Sequence, residues 1–270
     1  MDAVTLGPLM LPLPRLFALL SLVALFVTAA LLGRRVHEEL GGLGTPLLIS
    51  GGIAARLGYV LGHWDAYARE PWSMLFFWQG GLDPLWGVAG AAFYGLWHFR
   101  GRRRLQRLAQ LPVAAGLGVW LALSGGHAWL AEPATASLPD RPLDRLEGGD
   151  RALADWQGRP VVVNLWASWC PPCRREMPRL AEEAERHPGV RFAFVNQGEN
   201  REAVTAYLER QAFSLAPVFL DRQARLRDHF EAPGLPATLF FNRQGRLVDA
   251  HVGEISRAAL RDQLRSLLDH

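Results

Sequence analysis

The sequence has no lysine and only two cysteines, Cys170 and Cys173, among 270 residues. Each scarcity excludes something. Without lysine there is no lysine Schiff base, and every Lys/Arg-type charge is an arginine. Two cysteines cannot build a disulfide-rich scaffold or a four-cysteine zinc site. There is no internal repeat and no low-complexity segment. Half of the residues are hydrophobic, which excludes a disordered chain. Long apolar runs are abundant, but only in the first half. Charge divides the same way. Up to Leu130 there are ten arginines against six acids, and beyond it nineteen against twenty. The pI of about 9.3 therefore reflects arginines beside apolar runs and gives no argument for a nucleic-acid partner.

Four apolar runs predict a helical membrane bundle over residues 1–130. The first is Leu16–Leu32, flanked by Arg15 and by Arg34 and Arg35, with Met10–Leu13 available to lengthen it towards a ~30 Å hydrocarbon core. The others are Leu43–Leu61, Leu82–Phe99 and Leu108–Leu130. Arg56 lies in the second and must face the bundle or snorkel. Frequent glycines suit close helix packing in lipid. Arg34 and Arg35, and then Arg100, Arg102, Arg103, Arg104 and Arg107, mark two loops as cytoplasmic. The intervening loop carries Trp64, Trp72 and Trp78, which suit an interfacial belt. This topology sends the fourth span outward and predicts an extracytoplasmic C-terminal half. The alternative is that some runs are buried helices of a soluble core. A cleaved signal peptide is not expected, since the start lacks a basic cluster and further spans follow. His63, His98 and His127 fall near span ends and read as interfacial.

Residues 131–137 form a small-residue linker, and 138–270 read as a soluble α/β domain. Val161–Leu165 is a β-branched run expected as a buried strand. A helix opens at the cysteines and runs to Arg186, stopped by His187, Pro188 and Gly189. A second strand spans Val190–Asn196. Asn200 caps a helix over 201–211. A short strand follows at Pro217–Leu220, then a short helix over Gln223–Phe230. A hairpin pairs Ala237–Phe241 with Arg246–Val252. Ser256 caps a last helix ending near Leu268.

Cys170-Pro-Pro-Cys173 follows the first strand and opens a helix. There the free N–H groups and the helix dipole favour a thiolate at Cys170. Cys173 lies one turn on, within reach for a disulfide. Cys170 is then the nucleophile that forms a mixed disulfide, and Cys173 resolves it. Pro171 and Pro172 bring no N–H, which argues for a less acidic and more reducing dithiol. Two other readings of the pair compete. A metal site would need two more ligands, and no His or Cys lies nearby in sequence. A purely structural disulfide would close a tiny loop for little gain.

The segment Trp166–Pro178 (WASWCPPCRREMP) resembles the TlpA/ResA/CcmG-type thiol–disulfide oxidoreductases of thioredoxin fold. So do Val195–Glu199, Gly234–Thr238 and the closing hairpin. The resemblance covers Leu138–Leu268. It implies a cis-proline at Pro236 facing the active site. It also implies an acid at Glu176 that tunes the protonation of the second cysteine, and a substrate-binding face at Trp169, Pro171, Leu235 and Pro236. A solvated first-turn acid is the competing reading of Glu176. Asn164 stands where cytoplasmic thioredoxins carry a buried Asp. No cofactor is implied beyond the redox-active pair Cys170 and Cys173.

In the first half, Gly7–Leu9, Ala55–Leu61 and Gly80–Gly87 with Gly90 resemble the start of prolipoprotein diacylglyceryl transferase. Leu85 occupies the place of that family's catalytic His, and Phe17 that of its first-span Tyr. The downstream signature spans are missing, so the expectation is a truncated relative without transferase activity. Arg56 and Tyr59 then either keep a lipid or lipoprotein contact or simply pack inside the bundle.

Three functions compete. The first is a reductase of exported protein disulfides, for instance in cytochrome c maturation or at copper-site thiols, held in a bacterial inner membrane. Since the spans contain no cysteine, its electrons would come from a separate transmembrane thiol reductase. The second is an oxidant or isomerase of exported proteins. The third is a lipid- or lipoprotein-binding membrane module with an accessory redox domain. Membrane lipids are partners in all three.

Overall fold

The computed structural model describes residues 3–6, 9–68, 71–130 and 136–269. The chain forms two compact units, one drawn chiefly from each half.

The first unit opens with a small antiparallel hairpin, β1 (Ala3–Leu6) and β2 (Leu9–Pro12). Its helices are α1 (Leu13–Arg35), α2 (Glu38–Gly41), α3 (Gly44–Gly62), α4 (Trp64–Tyr67), α5 (Pro84–His98), α6 (Arg103–Ala109) and α7 (Leu111–Leu130). Met10–Pro12, expected to lengthen the first span, is strand instead, and the helix begins at Leu13. Its 23 residues still span ~34 Å at ~1.5 Å each. Among the described residues two segments, Leu16–Arg35 and Arg103–His127, are long and apolar enough to cross a membrane. Leu19, Leu20, Val23, Val27 and Leu31 of α1 are exposed, a costly arrangement in water and a natural one in lipid. Among 15 residues, α5 reaches only ~22 Å.

Helices α3 and α5 pack antiparallel through glycine. A Cβ at Gly90 would stand 2.3 Å from Ala54 Cβ and 3.0 Å from the Ser50 carbonyl, so the backbones meet only because none is there. Asp83 starts α5 by accepting from the N–H groups of Leu85 and Trp86 through Oδ1, at 2.9 and 3.2 Å, with Pro84 at the first helical position. Leu40, Leu43, Leu47, Ala91, Phe99, Ala109 and Val113 make the buried centre of this unit.

The second unit is built on a seven-stranded sheet in the order β4-β3-β7-β6-β5-β8-β9. The strands are β3 (Pro142–Arg145), β4 (Asp150–Ala152), β5 (Val161–Trp166), β6 (Arg191–Gln197), β7 (Val218–Asp221), β8 (Ala237–Phe241) and β9 (Leu247–Val252). β5, β6 and β7 run parallel, and β8 returns antiparallel against β5. The helices are α8 (Pro171–Arg186), α9 (Arg201–Leu208), α10 (Arg225–His229) and α11 (Arg257–Asp269). This is a thioredoxin-like sheet. Strand periodicity sorts β5 between two cores. Val162 and Trp166 join Met177, Leu180, Leu260 and Leu264 on one face. Val161, Val163 and Leu165 join Leu153, Trp156 and Phe219 on the other. With both faces covered, β5 reads as a continuous apolar run.

Every strand and helix expected beyond Val161 is present, with α9 ending at Leu208 instead of residue 211. The β3–β4 hairpin was not foreseen. Ser137 bridges Arg246, so pairing with the second unit already begins within the stretch expected to be linker. Ala136 of that stretch also accepts from Leu247 N–H at 2.9 Å, and 131–135 lie outside the described residues.

Candidate active site

The first helical turn after β5 holds both sulfurs. Cys170 is the N-cap of α8 and Pro171 its first residue. The two prolines bring no N–H, so the first donor available is Cys173 N–H, and it donates to Cys170 Sγ at 3.3 Å. Cys170 and Cys173 form a disulfide with S–S 2.05 Å and Cα atoms 5.3 Å apart. Both cysteines are buried in the oxidised pair, Cys173 wholly and Cys170 with 3% of its surface exposed. Trp169, 66% exposed, and Pro171 stand at the surface beside it. Leu235-Pro236 is a cis peptide just ahead of β8, as expected for Pro236. Ala216-Pro217 is a second cis bond that no sequence feature singled out.

Glu176 is completely buried, which removes the reading of a solvated first-turn acid. Three residues beyond Cys173, it lies on the same face of α8. Its Oε1 accepts from Asn164 Nδ2 at 2.8 Å and its Oε2 from Ile255 N–H at 3.0 Å. Loss of water pushes its carboxyl up to about 8, and nearby Glu254 adds to the rise. The Ile255 N–H, the Asn164 amide and the Arg179 charge pull the other way and lose. Arg179 and Arg175 both bind the buried Glu254, at 2.7 and 2.9 Å. Lower on α8, Glu183 ties the helix to α11 through Arg257 and Arg261 at 3.0 and 2.7 Å. Burial opposes ionisation of Glu183, but those two arginines outweigh it and hold its carboxyl below the usual range.

One contact escaped the sequence reading. Glu199, just past β6, clasps the loop ahead of the cysteines. Its carboxylate accepts from Ser168 N–H at 2.7 Å, Ser168 Oγ at 2.5 Å and Asn196 Nδ2 at 2.7 Å. The available signal was position. Glu199 and Cys170 both follow the C-terminal ends of adjacent parallel strands, where α/β sheets gather their sites.

In the first unit, Arg56 is taken up by backbone. Its guanidinium donates to the carbonyls of Ser73, Met74 and Gly81 at 2.7, 2.9 and 2.8 Å, and it lies 5.2 Å from the Tyr67 ring centroid. Tyr59 stacks on His63 at 4.1 Å. Leu85 is 80% exposed. No group of three or more His, Cys, Asp or Glu side chains among the described residues could hold a metal ion.

A cap sulfur with a buried partner one turn on defines a dithiol–disulfide centre, and comparison with known proteins places the chain in a family. The Redoxin family model matches residues 133–266. The prolipoprotein diacylglyceryl transferase model matches 3–126. The thiol–disulfide oxidoreductase ResA of Geobacillus thermodenitrificans is 31% identical over 134 residues, 49% of this chain and 76% of that one. ResA of Bacillus subtilis is 28% identical over 159 residues, 58% and 87% of the two chains. Among solved structures, MTB DsbF shares 25% identity over 51% of this chain and 99% of its own, with a TM-score of 0.46. The chain therefore belongs to the ResA-type thiol–disulfide oxidoreductases of the Redoxin family, and it carries an N-terminal prolipoprotein diacylglyceryl transferase family region.

Proposed function

We propose that this oxidoreductase is a membrane-anchored reductase of exported protein disulfides. The observation that carries the reading is the disulfide at the start of α8, with Cys170 flanked by exposed Trp169 and Pro171, Cys173 wholly buried, and buried Glu176 one turn further on. Reduced Cys170 attacks a substrate disulfide through its thiolate. One substrate sulfur leaves, and the other stays in a mixed disulfide. Cys173 gives its proton to the ionised share of Glu176, which a carboxyl raised to about 8 still supplies near neutral pH, and attacks Cys170 Sγ. The second substrate sulfur leaves as a thiolate and takes a proton from water, and the pair returns to the disulfide. Two electrons and two protons pass to the substrate. Because Glu176 is mostly uncharged at neutral pH, Cys173 stays a thiol until the ionised share takes its proton, which suits a resolving cysteine. Trp169, Pro171, Leu235 and Pro236 form the docking face for the substrate strand.

Residues 1–130 form the membrane domain, 131–137 the linker and 138–270 the redox domain. Four spans, with the arginine loops cytoplasmic, put the redox domain outside a bacterial inner membrane. Since both cysteines sit in one site, electrons come from a separate transmembrane thiol reductase. The anchoring region performs no acyl transfer, because Leu85 cannot take or give a proton. Saturation of Arg56 by loop carbonyls favours a packing role over a lipid head-group contact.

The test is the reduction potential with a trap. We expect a potential nearer the ~−270 mV of thioredoxin than the ~−120 mV of a periplasmic oxidant; a value above roughly −180 mV makes the protein an oxidant or isomerase instead. Cys173→Ala should hold Cys170 in stable mixed disulfides with exported proteins. If none accumulates, the order of attack is wrong.

A further inference from the structure

Asn164 lies buried on β5, and only half of its amide is used. Nδ2 donates to Glu176 Oε1 at 2.8 Å and to Thr238 Oγ1 at 3.1 Å, the latter from the residue in register on β8. Oδ1 is buried with no hydrogen-bond partner among the described residues. A buried amide oxygen without a donor costs about 1–3 kcal/mol. The arrangement also suits one form of Glu176 only. Both carboxyl oxygens accept, Oε1 from Asn164 and Oε2 from Ile255 N–H, as a carboxylate does. A carboxylic acid has a hydrogen to give, and these two donors offer it no acceptor.

A half-turn of the amide about Cβ–Cγ removes the conflict. Oδ1 then accepts the Glu176 O–H, and the Thr238 hydroxyl rotates from acceptor to donor towards the same oxygen. The turn moves Nδ2 to the side where Oδ1 has no partner, so it leaves the amide N–H groups unpaired there and takes place only where the Glu176 and Thr238 O–H donors to Oδ1 offset that cost. The other charges that face Glu176 are fixed. Arg179, one turn along α8, and Glu254, just ahead of α11, are paired with each other at 2.7 Å. Cys173 lies one turn back on α8.

We propose that Asn164 is a positioning residue for dithiol exchange, whose amide follows the proton on Glu176: Nδ2 donates to the carboxylate, and Oδ1 accepts from the acid. The proposal rests on the reading in which Cys173 gives its proton to Glu176. In that step an S–H bond breaks, an O–H bond forms on the carboxylate, and the amide turns as the Cys173 thiolate attacks Cys170. When the proton leaves Glu176 the amide turns back. No electrons move in the turn itself.

The test uses the full chain in lipid nanodiscs. The Glu176 carboxyl carbon and the Asn164 side-chain amide are followed by NMR from about pH 5 to about pH 10, with Glu176→Gln assigning the carboxyl. We expect the amide to titrate with the same midpoint as the carboxyl. An amide that stays flat through the carboxyl step overturns the proposal. Asn164→Leu removes both donor and acceptor. The bond to the carboxylate is the stronger of the two, so the carboxyl midpoint and the pH profile of disulfide reduction should move up together by about one pH unit, a tenfold change in proton affinity. KM for the disulfide substrate should be unchanged, because Asn164 does not touch it. Should this variant fail to fold, the nearly isosteric Asn164→Asp sets a second carboxyl beside Glu176 and should raise the midpoint in the same direction. An unmoved midpoint in the variant that folds overturns the proposal. The Cys170→Ser, Cys173→Ser double variant shows the amide without any thiol. Coupled titration there with a flat activity profile in the unmodified chain would fault the role of Glu176 in exchange, whereas an uncoupled amide faults the role of Asn164.

Discussion

Glu176 places an ionisable group where water cannot reach it, and folding stability must respond to pH. Its ordinary value is 4.5 and its value in the fold is about 8. Between these the folded chain keeps a proton that the unfolded chain releases. Its contribution is therefore complete below about pH 4.5 and is lost as pH rises through about 8. The loss is on the order of 3–5 kcal/mol at ~1.4 kcal/mol per pH unit. Denaturant unfolding at several pH values should show this decline in the unmodified chain and a much flatter curve in Glu176→Gln, which stays neutral throughout. An equal decline in both would assign the pH dependence to other groups. Glu199 acts by shape. Glu199→Ala leaves Ser168 N–H and Asn196 Nδ2 without their acceptor and should cost about 1–3 kcal/mol. Hydrogen exchange should speed up most at Ser168, the amide released beside Cys170. Uniform acceleration across β5 would mean that the clasp is not local.

Legibility followed how local each cause was. β5 was readable because three valines in succession, buried on both faces, leave little but a central strand. α8 was readable from its prolines at the start and from His187, Pro188 and Gly189 after its end. The β3–β4 hairpin was missed because Asp144, Arg145, Asp150 and Arg151 are partly or fully exposed, so these short strands at one margin of the sheet show no apolar alternation. At the site, the CxxC pair and the cis bond at Pro236 were legible from motif. The burial of Glu176 was not, because α11 and the residues ahead of it, some 79 positions away in sequence, close over it. The α3–α5 contact shows the same limit. Glycine frequency suggested close packing, but only the pairing of Gly90 with Ala54 and Ser50 says which face. Gly90→Val should force these helices apart at a cost of about 1–3 kcal/mol, read as earlier unfolding of the chain in a detergent titration. Gly52, where a Cβ meets nothing, is the matched control on α3 and should tolerate alanine.

For the molecule as a whole, the open question is which side of the membrane receives the dithiol. Two segments among the described residues are long and apolar enough to cross. Two crossings leave both ends of the chain on one side, and so do four, so span number alone does not decide the side. Arginine does. Arg34 and Arg35 end α1, and Arg100, Arg102, Arg103, Arg104 and Arg107 follow α5, and all seven are exposed. Loops this basic stay cytoplasmic. On the proposed topology the end of α7, and the redox domain after it, lie outside. The chain lends itself to a direct test because both native cysteines are in one site. In the Cys170→Ser, Cys173→Ser background, a single reporter thiol at exposed Val248 on β9 or exposed Arg103 at the start of α6 reports each side. A membrane-impermeant maleimide applied to spheroplasts should label Val248→Cys at once and Arg103→Cys only after lysis. The reverse pattern would put the dithiol in the cytoplasm, where thiols are already kept reduced and a membrane-anchored reductase of exported proteins would have no substrate.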